Sequence, residues 1–144
     1  MTLHHIGYVV RSIQESLDGM TRSLGYHCST GSIFEPIQRV NVIFLSPPSL
    51  GPQIELVEPH SEQSPVWQFV QKGGGLHHIC YEVEDLSAQL DRMRAIGAGI
   101  LRKPQPAAAF EGRRIAWVVT RERLLLEYLE RDKQPWFGEN GTTG

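Results

Sequence analysis

Leu3-His4-His5-Ile6-Gly7-Tyr8-Val9 returns as Leu76-His77-His78-Ile79-Cys80-Tyr81-Glu82-Val83, 73 residues on when the histidine pairs are aligned. Ile13, Leu17 and Met20 return at the same spacing as Leu86, Leu90 and Met93. Further along, Arg39-Val40 matches Arg114-Ile115, and Ile54-Glu55-Leu56 matches Leu126-Glu127-Tyr128. Four landmarks in one order, with little drift in spacing, mark an internal duplication, and a duplication sets the architecture before any single element does.

Each copy reads as a strand, a helix and three further strands. The segments 4–10 and 77–83 are short and β-prone, and each runs into a helical pattern. Ser12 is placed to cap the first helix, with apolar positions 13, 17, 20 and 24 and a stop at Gly25. Asp85 or Ser87 starts the second, with positions 86, 90, 93 and 96 apolar and Gly97 at its end. The runs 40–45 and 115–119, then 53–57 and 124–129, supply later strands. Ser64-Pro65 opens a short helix between the copies, ended by the glycines 73–75, whereas Pro47-Pro48 and the 104–106 prolines mark loops. The expected fold is α+β: two repeated βαβββ modules forming a curled mixed sheet around a cleft. Residues 1–131 are expected to form one domain, with module 1 at about 1–60, a linker helix at about 64–72 and module 2 at about 73–131. The segment 132–144 reads as a loose C-terminal tail.

Composition narrows the function. The 144 residues are 40% hydrophobic and 21% charged, enough for one core and too apolar for wholesale disorder. No apolar run approaches the roughly 20 residues that span a bilayer, and residues 1–30 do not read as a secretory signal. Fourteen Lys+Arg against sixteen Asp+Glu leave a formal charge of −2, which offers no general attraction to nucleic acid or anionic membrane. Two cysteines, Cys28 and Cys80, are too few for a disulfide scaffold and fit a reducing, cytoplasmic setting.

The polar residues that occur twice carry the chemistry. His5 and His78 open the first strand of each copy, and Glu55 and Glu127 stand among apolar neighbours in the last. A pseudo-twofold duplication brings equivalent positions together at the common axis. Two imidazoles and two carboxylates there suit a divalent cation such as Co, Ni, Zn, Mn or Fe, one per chain. Neighbours on a strand face opposite ways, so at most one histidine of each pair enters the cleft. Cys80, two residues from His78, reads as a small buried thiol lining that cleft.

The chain resembles the vicinal oxygen chelate (glyoxalase/bleomycin resistance/dioxygenase) superfamily, and within it the methylmalonyl-CoA epimerases. The resemblance rests on the segments 3–10, 54–59, Ser64-Pro65 with Phe69, Gly73-Gly74-Gly75-Leu76-His77-His78-Ile79-Cys80, Gly112-Arg113-Arg114-Ile115-Ala116 and Leu126-Glu127. It implies metal ligands at His5, Glu55, His78 and Glu127, with His4 and His77 facing away in structural or supporting roles. It further implies abstraction of the C2 proton from a 2-substituted malonyl thioester, on CoA or a carrier protein, with the enolate stabilised by the metal. Glu127 is the first candidate for proton transfer, and Glu55 is a second if it leaves the metal. A homodimer is expected from the family.

The sequence also departs from the pattern. Where some epimerases carry a further carboxylate, the best match is Asn41, which cannot act as a base; Glu35, Glu58 and Glu111 read as solvated surface charge. Arg39, Lys103, Arg113 and Arg114 are candidates for holding phosphates or a carboxylate. Rival readings are a glyoxalase I-like lyase (lactoylglutathione lyase), and a non-catalytic binding or resistance protein of the same fold. The full ligand set counts against the second, and the Ser-Pro helix with the glycine run into His-His-Ile-Cys favours the epimerase over the first.

Overall fold

The structure, a computed structural model, describes residues 1–132. Strand β1 (Thr2–Val9) leads into helix α1 (Ile13–Leu24), then β2 (His27–Cys28), β3 (Ile33–Glu35), β4 (Val40–Ser46) and β5 (Gln53–Pro59). Helix α2 (Trp67–Gln71) links to the second copy: β6 (Gly75–Val83), α3 (Leu86–Ala95), β7 (Gly99–Pro106), a 3-10 turn (Ala108–Phe110), β8 (Arg114–Val119) and β9 (Leu125–Glu130). The nine strands make one mixed sheet in the order β2-β4-β5-β1-β6-β9-β8-β7, with β3 beside β4. The α+β duplication expected from the repeats is the observed architecture. The segment 133–144, most of the expected tail, lies outside the described residues.

Local signals act where the residues place them. The Ser12 side chain accepts the Glu15 N–H, and Gly25 ends α1 in the left-handed region at φ 68°. Asp85, not Ser87, caps α3 by accepting the Ala88 N–H. Alternation then sorts the strands. Ile43, Leu45 and Leu56 face α1 and pack with its Ile13, Leu17 and Met20, and Ala116, Val118, Leu126 and Tyr128 pack with Leu86, Leu90 and Met93 of α3. The intervening Val42, Phe44, Val57, Ile115, Trp117 and Leu129 point the other way and pack together as the cleft face. Leu56 is fully buried; such a side chain contributes about 1.5–3 kcal/mol relative to exposure, and its truncation to alanine costs about 2–5 kcal/mol.

Three details differ from the sequence expectation. Copy one carries an extra two-residue strand, β2, paired with the end of β4. The linker helix begins at Trp67 because Ser64 is used as a tie: its hydroxyl donates to the Gln38 carbonyl (3.3 Å) and accepts from Val66 N–H (3.4 Å). The prolines at 104 and 106 belong to β7, not to a loop. An edge strand tolerates a missing N–H, and the register of β7 against β8 shifts between Arg102 and Gln105 to accommodate them.

Candidate active site

Strand pairing assembles the site at the middle of the sheet. Strand β1 runs parallel to β5 with Gly7 opposite Glu55, and β6 runs parallel to β9 with Cys80 opposite Glu127. The two first strands meet antiparallel, with His5 opposite Cys80 and Gly7 opposite His78. This pseudo-twofold register draws a histidine and a glutamate from each copy to one point. All four are buried, His5 at 0% exposure and Glu127 at 2%.

The donor atoms are close. His5 Nε2 lies 2.7 Å from Glu55 Oε2 and 3.2 Å from His78 Nε2; His78 Nε2 lies 3.4 Å from Glu55 Oε2, and each histidine stands 3.9 Å from Glu127. One ligand atom from each of the four falls within 4.8 Å of the others. Donors each about 2.0–2.2 Å from a single ion stand roughly 3–4 Å apart, so the quartet fits a divalent cation. Glu127 Oε1 is buried without a hydrogen-bond partner, an acceptor available to such an ion.

The expectation that only one histidine of each pair enters the cleft fails for the second pair, where His77 lines the cavity beside His78, and the first histidine of each pair supports the second. His4 and His5 share a hydrogen bond between their Nδ1 atoms (2.8 Å), as do His77 and His78 (2.9 Å). This fixes the ring orientation that presents each Nε2 to the centre. Burial, then the neighbouring His5, pushes His4 down to about 4; burial, then His78, does the same to His77. Both supporting rings are therefore neutral near pH 7.

The carboxylates are driven apart. Burial raises Glu127, with the Glu55 charge adding to it. Glu55 resists its own burial because His5 and His78 hold it below the usual carboxylate range. Two buried carboxylates and two histidines are costly without a compensating positive charge, by several kcal/mol. Cys80 hydrogen-bonds Glu127, and burial pushes its thiol far up, so the neighbouring triplet His4, His5 and Cys80 makes a poor metal site.

A cavity opens on the quartet. Glu35, Val66, His77, Phe110, Ile115 and Trp117 line it together with Glu55, His78 and Glu127. Phe110 stacks on the His5 ring with centroids 5.8 Å apart, and Trp117 meets His78 edge to face at 4.7 Å. Trp117 Nε1 is buried without a partner. An adjoining groove runs past Gln38, Pro65, Leu101 and Leu125 to Arg102, with Lys103 beside it.

The other sequence candidates separate. Asn41 lies outside this cavity, its Nδ2 3.4 Å from His60 Nδ1. Glu58 accepts the Ile13 N–H at the start of α1 (3.2 Å), and Glu111 is exposed. Arg113 is engaged by Glu82 (3.0 Å) and Arg114 by both oxygens of Glu130 (2.9 and 2.7 Å), so neither is free for a phosphate. The reading of Glu35 as surface charge is overturned. The residue is 5% exposed and its carboxylate receives the Ala109 N–H. A three-residue strand gives no periodicity from which that burial could be read. Trp117 is not legible as a cleft residue for a related reason: apolar neighbours surround it in sequence, and its place opposite Glu127 comes from strand pairing.

The model of the Glyoxalase/Bleomycin resistance protein/Dioxygenase superfamily matches residues 4–117, and the chain belongs to that superfamily. Within it, the chain is similar to methylmalonyl-CoA epimerases. An ethylmalonyl-CoA/methylmalonyl-CoA epimerase of Cereibacter sphaeroides is 34% identical over 118 residues, covering 81% of this chain and 86% of the relative. A hypothetical protein from Bacillus halodurans superposes with a TM-score of 0.80 at 32% identity, covering 93% of this chain and 96% of that one. The methylmalonyl-CoA epimerase of Mycobacterium tuberculosis shares the fold, with a TM-score of 0.80 at 24% identity over 91% of this chain and 88% of that one.

Proposed function

We propose that this protein is a metal-dependent epimerase of a 2-substituted malonyl thioester, with methylmalonyl-CoA as the reference substrate. The observation that carries the reading is the buried quartet of His5, Glu55, His78 and Glu127, drawn equally from both copies within 4.8 Å. These four residues would hold the cation. Bound there, it would supply Lewis-acid polarisation of the thioester carbonyl as the C2 proton leaves.

The remaining steps belong to the chain's own groups. Glu127 stands 3.9 Å from each histidine where Glu55 stands 2.7 and 3.4 Å away, so it is the less tightly held carboxylate and is assigned to take the C2 proton. Glu55, the alternative base, is held by His5 and His78 and is assigned to the cation instead. The electron pair of the broken C–H bond passes into the thioester carbonyl, and a proton returned to the other face inverts the centre. Trp117 Nε1–H is a donor available to a substrate oxygen. Phe110 and Trp117 exclude water from the reacting carbon. The thioester arm would leave through the apolar groove toward Arg102 and Lys103.

On the same reading, residues 1–131 work as one cytoplasmic domain, and the active form is a homodimer. No helix among the described residues is long and apolar enough to cross a membrane. The test is deuterium uptake from D2O. Metal-loaded protein is expected to exchange C2 of methylmalonyl-CoA, or of a related acyl thioester in a small panel, and chelator-stripped protein is not. Retention of C2 hydrogen across the panel would reject the epimerase reading and leave the fold intact.

A further inference from the structure

Inversion requires an acid–base group on each side of the reacting carbon, and Glu127 accounts for one. We propose that Glu35 is the second proton-transfer residue, supplied by the first copy where Glu127 comes from the second; this rests on the epimerase reading above.

Glu35 ends β3, whose partner β4 belongs to the first half of the sheet, and its side chain lines the same cavity as Glu55, His78 and Glu127. It is almost completely buried, and burial disfavours the charged carboxylate relative to the neutral acid. Burial raises its pKa and the Glu55 charge adds to this, while N–H groups of Ala109 and Ala108 act in the other direction. Arg102 and Lys103 line a neighbouring pocket with Glu35, and among the described residues neither forms an ion pair with it. The same N–H groups fix the carboxyl beside Phe110, the residue that stacks on His5. Asn41, the position sequence comparison offers for this role, is outside the cavity and has no acid–base chemistry.

The chemistry balances without a co-reactant. In one direction Glu127 takes the C2 proton as a carboxylate, and the C–H electron pair becomes the enolate. Glu35, as the carboxylic acid, then gives its proton to the opposite face and forms the new C–H bond. The reverse direction exchanges the two roles, and proton exchange with solvent resets both groups.

Glu35→Gln keeps an oxygen to receive the Ala109 N–H but cannot transfer a proton. It is expected to lower the rate of inversion 100-fold or more, the scale of general acid–base catalysis. Deuterium from D2O should still enter C2 of one methylmalonyl-CoA epimer, with retained configuration, through Glu127. The other epimer should lose its exchange. Glu35→Asp, which keeps the acid, should invert faster than Glu35→Gln. If Glu35 only held the 3-10 turn, the isosteric glutamine would perform at least as well as aspartate, and exchange of both epimers would change together; either result overturns the assignment. Inversion at the wild-type rate in Glu35→Gln overturns it alone, whereas absence of exchange in the wild-type enzyme removes the epimerase reading and Glu35's role with it. Metal content and melting temperature of both variants confirm that folded protein is being compared.

Discussion

A β-carbon at Gly7 would stand 2.0 Å from Cε1 of His78, because the imidazole lies across the backbone of β1 where the two first strands pair. Heavy-atom contacts below 3.0 Å do not occur at real β-carbons, so any side chain at position 7 must displace the ring. The hydrogen of Gly7 is thus part of the geometry that presents His78 to the centre. Gly7→Ala is expected to cost about 1–3 kcal/mol through overpacking. It should also weaken divalent-metal binding tenfold or more, read by calorimetric titration of the folded variant. Unchanged metal affinity would contradict this placement of His78.

Metal content follows from the same quartet. About one divalent ion per chain is expected in purified protein, by elemental analysis, with His78→Ala abolishing it. An ion present at a thousand times its dissociation constant adds about 4 kcal/mol to stability. Removing it with a chelator should therefore lower the melting temperature on the order of 10 °C. A melting temperature unmoved by chelation would mean that the four residues tolerate their mutual burial without a cation.

Acid sensitivity should trace in part to Glu82. Burial alone would raise its pKa, but hydrogen bonds from Arg113 (3.0 Å) and Arg131 (3.1 Å) hold it below the ordinary value of 4.5. A carboxylate lowered on folding contributes stability above the unfolded pKa and loses it as pH falls through the folded one. Glu82→Gln should therefore be less stable than wild type at pH 7, with the difference narrowing below about pH 4.5. Urea melts across that range measure it; a constant difference would show that the ion pairs contribute nothing through protonation.

The two cysteines should differ in reactivity. Cys28 is exposed, whereas Cys80 is fully buried, hydrogen-bonded to Glu127 and held as a thiol by burial. A disulfide reagent should titrate one thiol per folded chain and two after denaturation, and Cys28→Ala should remove the rapid one. Fast modification of Cys80 in the native protein would indicate that the sheet centre opens readily.

The sequence by itself determined the duplication, both long helices with the Ser12 cap, and the quartet, and it left Asp85 and Ser87 open as the second cap. These are legible because a repeated polar residue in an apolar strand stands out against its neighbours, and because caps and periodicity act within a few residues. Tertiary structure alone decided that Glu35 joins Glu55 and Glu127 at the cleft and what each histidine ring touches. Glu35 lies on a strand three residues long, so its burial comes from the 3-10 turn of the other copy meeting it across the cavity. The two prolines of β7 became strand because that strand lies at the sheet edge. Gly7 matters because the two copies pair antiparallel with His78 opposite it. Contacts of this kind join residues more than 70 positions apart, and no local pattern of propensity or hydrophobicity encodes which of them will meet.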